Sequence, residues 1–196
     1  MFCGAIMPDG ISPYQKVYFT SDTDMVVGYL GQGSSVNFSA QWESPFENSS
    51  VGGVAGAISQ YGQKLAGGAQ VFTGQTSKTS FESRLVWGGQ MPPEFTIVVD
   101  LMATINAQIE VNAAITTLIQ MSSPQLNNLT PMGRPPATVT LDVGRRLKLM
   151  DVVIKDVSFE LDAPRTADGF YTHNKVTIQC SGDNMINKSD IPSLFI

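Results

Sequence analysis

The sequence holds one histidine, two cysteines and few charges, and each shortage removes a class of function. Ser/His/Asp or Cys/His catalysis would have to use His173, the single imidazole, and nothing in the spacing around it supports that. It stands in a segment that reads as a hairpin arm, where a lone histidine is a surface residue. Cys3 and Cys180 lie far apart and form no Cys-x-x-Cys or Cys/His spacing. No metal site is expected from them, and both read as reduced thiols. Gly31-Gln32-Gly33 lacks the third glycine of a dinucleotide loop and the Lys-Ser/Thr of a phosphate loop. Asp22 and Asp24 share a turn, but without the glycine and distal glutamate of a calcium loop. Asp100 and Glu110 flank a helix entry, where Glu110 suits the positive helix end better than acid catalysis. No enzyme and no cofactor are expected.

Basic clusters are also scarce. The net charge is 12 − 17 = −5, and no basic run reaches five residues, so no footprint for gripping nucleic acid is visible. Arg145-Arg146-Leu147-Lys148 comes nearest and reads as a local surface patch inside a strand-like pattern. The aromatics Trp42, Phe46, Phe72, Phe81 and Trp87 have no interleaved basic residues and read as core or interface anchors. No apolar run approaches the roughly 18 residues of a membrane span. No charged n-region precedes an apolar stretch, so neither a secretion signal nor a membrane anchor is expected. Synthesis and assembly in the cytoplasm, or in a host's cytoplasm, are expected.

Apolar residues, by contrast, make up 42% of the 196, enough to build a core and to argue against disorder. One domain over 1–196 is expected, with an arm at 1–12 and a flexible Gly-rich insertion at 47–74. The charged share is 15%, against roughly 25% in ordinary soluble domains. Either other subunits cover much of the surface, or neutral polar residues take the place of charges.

The pattern along the chain is mainly β. Gln15–Phe19 and Met25–Leu30 read as strands split by the turn Ser21–Asp24. Val36–Trp42 alternates as a third strand. Lys78–Trp87 ends at Gly88-Gly89, and Met91-Pro92-Pro93 turns the chain. Phe95, Ile97, Val99, Leu101, Ala103 and Ile105 then share one strand face by period two. Val111, Ile115, Leu118 and Ile119 form one stripe of a helix over 109–122, capped by Asn106 or Asn112 and stopped by Pro124. Ala137–Val143 is a strand, and Gly144 permits a sharp turn. Leu147–Leu161 follows, with Asp151 and Lys155 breaking its apolar face and a bulge expected near Asp151. Asp168-Gly169 marks a turn, and Asn174–Cys180 returns as the partner strand. The apolar tail Ile191–Ile196 is expected to be docked, on the chain's own core or on a partner. The architecture is therefore an antiparallel barrel or sandwich with one flanking helix.

Several of these pieces, in this order, resemble a known family. They are Phe72-Thr73-Gly74-Gln75-Thr76 before a strand ending Val86-Trp87-Gly88-Gly89, and Met91-Pro92-Pro93-Glu94-Phe95 opening a long apolar strand. The helix with its stop at Ser123-Pro124 follows, then Asp151–Val157, a polar loop and Val176-Thr177-Ile178. The order is similar to that of tail-tube-like baseplate proteins of contractile-tailed bacteriophages, the initiators on which a tail tube is built. The likeness covers about 125 residues, from Phe72 to Phe195.

The resemblance implies a structural virion protein: a homo-hexameric ring, inner strands joined into a continuous barrel, and rings stacked on other tail tube and baseplate proteins. DNA would touch it only in passing through the lumen. At −5 per copy, six copies would carry about thirty negative charges, which disfavours phosphate at the wall. On this reading Val111, Ile115, Leu118, Ile119, Pro164, Phe170, Tyr171, Leu194, Phe195 and Ile196 are candidate subunit-interface residues. Phe95, Ile97, Leu147, Leu149, Val176 and Ile178 mark candidate lumen-lining strands. Two rivals stand beside it: a major tail tube subunit, and a small β-barrel module that binds a ligand or carbohydrate.

Overall fold

The computed structural model describes residues 10–43, 84–127 and 133–195. The Gly-rich stretch 47–74, most of the expected arm, Cys3, Phe46, Phe72, Phe81 and Ile196 lie outside them. The chain divides into two compact units, one of Met1–Ser39 with Pro92–Ile196 and one of Ala40–Met91.

The first unit is mainly β and closes into a six-stranded antiparallel barrel with one long helix. Its strands are β1 (Lys16–Thr20), β2 (Met25–Leu30), β3 (Ser35–Asn37), β6 (Glu94–Met102), β7 (Val139–Val143), β8 (Leu147–Phe159) and β9 (His173–Gly182). Their order is β2-β1-β7-β8-β9-β6-β3, and a further β2–β6 pairing closes the ring. The second unit holds a ribbon of β4 (Ala40–Glu43) and β5 (Val86–Gln90). The expected strand Val36–Trp42 is thus two strands in different sheets. Nor does β5 stop at Gly88-Gly89. It runs through them by a register shift, with Gln41 opposite Gly89 and Trp42 opposite Trp87.

Period two governs the barrel wall. Phe95, Ile97, Val99 and Leu101 of β6, and Val176, Ile178 and Cys180 of β9, point inward and are buried. β8 keeps its apolar side inward only by being re-phased. Leu149 faces Leu141 while Val152 faces Val139, so one extra residue lies near Asp151, whose φ is +56°. That is the expected bulge. A second shift falls between Ile154 and Asp156. The polar residues that break the pattern, Asp151 and Lys155, therefore sit at bulges, where the extra residue turns away from the core.

The helix begins as a π-turn, Gln108–Asn112, and continues as α1 (Ala113–Ser122). Asn106 is its cap: its Oδ1 accepts from the amides of Gln108 and Ile109 at 3.0 and 3.3 Å. Val111, Ala114, Ile115, Leu118 and Met121 join the barrel core. β6 ends before Ala103–Ile105, which the alternation had placed in it. There the buried Glu110 carboxylate accepts from the amides of Thr104 and Ile105, turning the chain into the helix. Ile105 is left 86% exposed. The C-terminal turn α2 (Ile191–Leu194) seats Leu194 in the core, so the tail docks on its own chain.

The β2–β6 seam is short: Tyr29 faces Asp100 and Leu30 faces Val99. Two glycines permit it. A Cβ on Gly28 would lie 2.2 Å from Val99 Cγ1 and 3.0 Å from Leu101 Cδ2, and one on Gly31 would lie 2.8 Å from Val98 Cγ1. The Gly31 amide donates to the Val98 carbonyl at 2.8 Å. The Ser34 hydroxyl accepts from the Val98 amide at 3.0 Å and donates to the Gly31 carbonyl at 2.9 Å. A side chain thus carries the ladder across the bend between β2 and β3.

Gly28→Ala is expected to destabilise the barrel by about 2–3 kcal/mol, because the added methyl overlaps core side chains that cannot retreat. Urea unfolding checks it, with the exposed Asp168→Ala, expected within about 0.5 kcal/mol, as the reference. Burial pushes the Cys180 thiol up from 9.0 to about 12, with a small opposing pull from Lys155. The folded thiol stays protonated where the unfolded one ionises. Its stabilising contribution is whole below pH 9.0 and is lost as pH climbs toward 12. Iodoacetamide mapped by mass spectrometry at pH 8–9 should leave native Cys180 unlabelled and modify it on denaturation.

Candidate functional site

Most candidate interface and lumen residues are used inside the barrel. Val111, Ile115, Leu118 and Leu194 are buried core residues and cannot meet a neighbour. Phe95, Ile97, Leu149, Val176 and Ile178 are buried and Leu147 packs against the same core. A closed barrel of six strands is narrow enough for these side chains to fill, so their inward faces border no channel. Tyr171 is tied to its own loop: the Arg165 guanidinium lies 4.5 Å from its ring, and Phe159 meets the ring edge-on. Pro164, Ile119 and Phe195 remain exposed and Phe170 half-buried. The apolar periodicity picked out most of the buried residues, Ile105 and Ile119 apart, but could not say what buries them.

The outer wall brings together residues that the sequence keeps apart. β1 points Val17 and Phe19 into the core, so Lys16 and Tyr18 lie on its other face, where Lys16 is nonetheless buried and Tyr18 half-buried. Register puts Tyr29 beside Lys16 and Asp142 beside Tyr18. The turn after β7 carries φ of +61° at Gly144 and +53° at Arg145. Arg145 and Arg146 therefore lie in a turn, not in a strand. Asp142, buried at 6% exposure, holds that turn. One carboxylate oxygen accepts from the Arg145 amide at 3.0 Å, and the other pairs with Arg145 Nη1 at 2.8 Å. The Arg145 guanidinium then lies 4.1 Å from the centre of the Tyr18 ring. Arg146 lies 5.2 Å from Tyr14, and Lys16 5.8 Å from Tyr29. Three cations thus stand over three tyrosine faces along one wall. Sequence alone did not single out these tyrosines. Their one local signal is Lys16, which stands between Tyr14 and Tyr18 in an alternating run.

Beside this wall lies a cavity of about 450 Å³ lined by Ile11, Tyr14, Tyr29, Asp100, Met102 and His173, among others. Tyr29 and Asp100 are cross-strand partners, as are Met102 and His173, so β2, β6 and β9 together form its floor. Asp100 Oδ1 is buried with no hydrogen-bond partner among the described residues. Among the described residues no group of three or more His, Cys, Asp or Glu is placed to hold a metal ion. No helix among them is long and apolar enough to cross a membrane.

Asp142→Ala should cost about 2 kcal/mol, since it removes a charge-assisted pair and the acceptor of the turn amide together. Chemical denaturation gives the loss, and hydrogen exchange at the Arg145 amide should speed up with it.

With the fold and this wall in view, comparison with known proteins adds no identity: no protein-family model matches the chain, and no curated protein matches it.

Proposed function

We propose that this chain is a non-enzymatic, self-assembling structural subunit, of the kind that forms a ring at the junction of a phage baseplate and tail tube. The observation that carries the reading is the β4–β5 ribbon. Among the described residues it is a two-stranded sheet on its own, and such a ribbon is marginal in water. Trp42 and Trp87 stand opposite each other on it, 57% and 56% exposed, beside the exposed Val86 and Leu85. Large aromatics in that state are interface anchors awaiting a cover. The outer edges of both strands carry no strand partner among the described residues. A neighbouring copy supplies cover and hydrogen bonds at once. The barrel with one helix agrees with the fold the resemblance implies.

The joining of subunits differs from the simplest form of that resemblance. β6 and β9 are paired on both edges over most of their length, whereas β8 pairs with β7 up to Val152 and with β9 from Val152 onward. Over that length β6 and β9 cannot continue a sheet into the next copy. Among the described residues the edges left include those of the ribbon, the outer edge of β3 and the β8 edge from Val153 to Phe159. A ring built from them is heterologous, with one patch meeting a different patch of the next copy.

The rival ligand-binding reading has one observation in its favour, the cavity with its unpartnered Asp100 oxygen. The two separate by mass in solution. Sedimentation of the purified chain over a wide concentration range should show discrete oligomers, with rings visible by electron microscopy. Trp42→Ser with Trp87→Ser should shift association by at least about tenfold, the scale of losing paired aromatic anchors. Barrel unfolding should be unchanged. A chain that stays monomeric throughout and is retained on a sugar column supports the rival instead.

A further inference from the structure

The cavity on the barrel wall is a concave site that self-assembly does not explain. Tyr29, Asp100, Met102 and His173 each follow or precede a buried residue in β2, β6 and β9, so their side chains share the outer face of the sheet. Cross-strand register sets Tyr29 against Asp100 and Met102 against His173. The turn Pro13–Gln15 adds Tyr14 and Gln15 to the lining, and the Ser12 carbonyl fixes that turn by accepting from the Gln15 amide at 3.0 Å. The volume of about 450 Å³ falls within the roughly 300–1,000 Å³ of small-molecule sites.

We infer that this cavity binds a neutral, polyhydroxylated small molecule, a mono- or disaccharide. The inference stands apart from the ring reading, because all its residues lie in the barrel unit and none in the ribbon. It starts from Asp100, whose Oδ1 is shut off from water and accepts from no described residue. A buried acceptor left in that state is costly, and a ligand that brings a donor removes the cost. Among the described residues, the side chains of Gln15 and His173 also make no hydrogen bond. The cavity thus offers a carboxylate, an amide and an imidazole, a set that suits hydroxyl groups able both to donate and to accept. Tyr14, Leu30 and Met102 supply apolar surface for the C–H faces of a sugar ring. Charge sets the other ligand classes aside. An anion would come against the Asp100 carboxylate. A cation would gain from Asp100 but meet Lys175, its cross-strand neighbour, and Arg146, 5.2 Å from the Tyr14 ring. A neutral ligand that carries its own donors incurs neither penalty.

The test uses the full chain and saturation-transfer NMR. The probes are glucose, galactose, mannose, N-acetylglucosamine, lactose and maltose, with putrescine as the cation and citrate as the anion. At least one sugar should receive saturation, and neither ion should. Asp100→Ala should weaken binding of that sugar at least about tenfold, the scale of losing an ionised acceptor. The exposed Gln15→Ala should weaken it about threefold and keeps the test readable should Asp100→Ala fail to fold. Exposed tryptophans also stack on sugars, so Trp42→Ser with Trp87→Ser is the comparison, and it should bind as the parent does. Saturation on no sugar overturns the site. So does binding that is lost with the tryptophans and kept in both cavity variants. Putrescine or citrate bound in place of every sugar overturns the neutral ligand. Sedimentation of the same samples reads assembly separately: a monomer that binds sugar overturns the ring reading and keeps the site, and an oligomer that binds none does the reverse.

Discussion

Everything described for the barrel depends on how closely β2 can approach β6. A sheet of this order has two raw edges unless its ends meet, and raw edges recruit other chains. Here they meet over Tyr29–Leu30 and Val99–Asp100, with glycines at Gly28 and Gly31 where any side chain would collide with Val98, Val99 or Leu101. The space that Gly28 leaves is occupied by Val99, so the seam is both the closure of the wall and part of the core. Ser34 supplies with a hydroxyl the bonds that the bending backbone drops. The helix follows from closure. Its stripe has a continuous apolar interior to enter only because the ring is complete.

Closure also decides what the sequence could reveal. The alternation of Phe95–Leu101 and Val176–Cys180 reports faces, and faces are local, so those strands and the Val111–Leu118 stripe were legible. Which strands pair is not local. The β2–β6 seam joins residues about seventy positions apart and leaves in the sequence only two glycines, which read as turn residues. Val36–Trp42 looked like one strand because alternation continues across the switch of sheets at Phe38-Ser39. Ile105 looked like core because the period ran on, whereas Glu110 captures the amides there and ends the strand. The bulge at Asp151 was legible because a carboxylate in an apolar face must be turned out of it, and one extra residue does that.

The same limit explains the candidate site. An apolar side chain signals burial, but burial by its own chain and burial by a neighbour look alike in a sequence. Val111, Ile115, Leu118 and Leu194 proved to be of the first kind. Trp42 and Trp87 lack cover within the described chain. The arginine turn was not legible as a unit, because Tyr14–Tyr29 and Arg145-Arg146 are separated by more than a hundred residues. Only the β1–β7 pairing sets Tyr18 beside Asp142 and so beneath Arg145.

A sealed barrel gives self-assembly a particular character. If subunits shared their core strands, an isolated copy would expose half a core and would aggregate as readily as it assembled. Here the core is complete in one chain, so the folded subunit is a finished body before it meets another. On the proposed reading, contacts between copies would rest on the ribbon tryptophans and on leftover strand edges. Those are smaller contributions, and they add through geometry rather than through folding. A single weak contact dissociates readily; contacts made together around a closed ring do not. On the proposed reading the low charge content has a reason, since a surface that met copies of itself on several sides would tolerate little unpaired charge. Where cations do occur in the wall they are stacked on tyrosine and, for Arg145, also paired with a carboxylate, which holds them in place within the subunit itself.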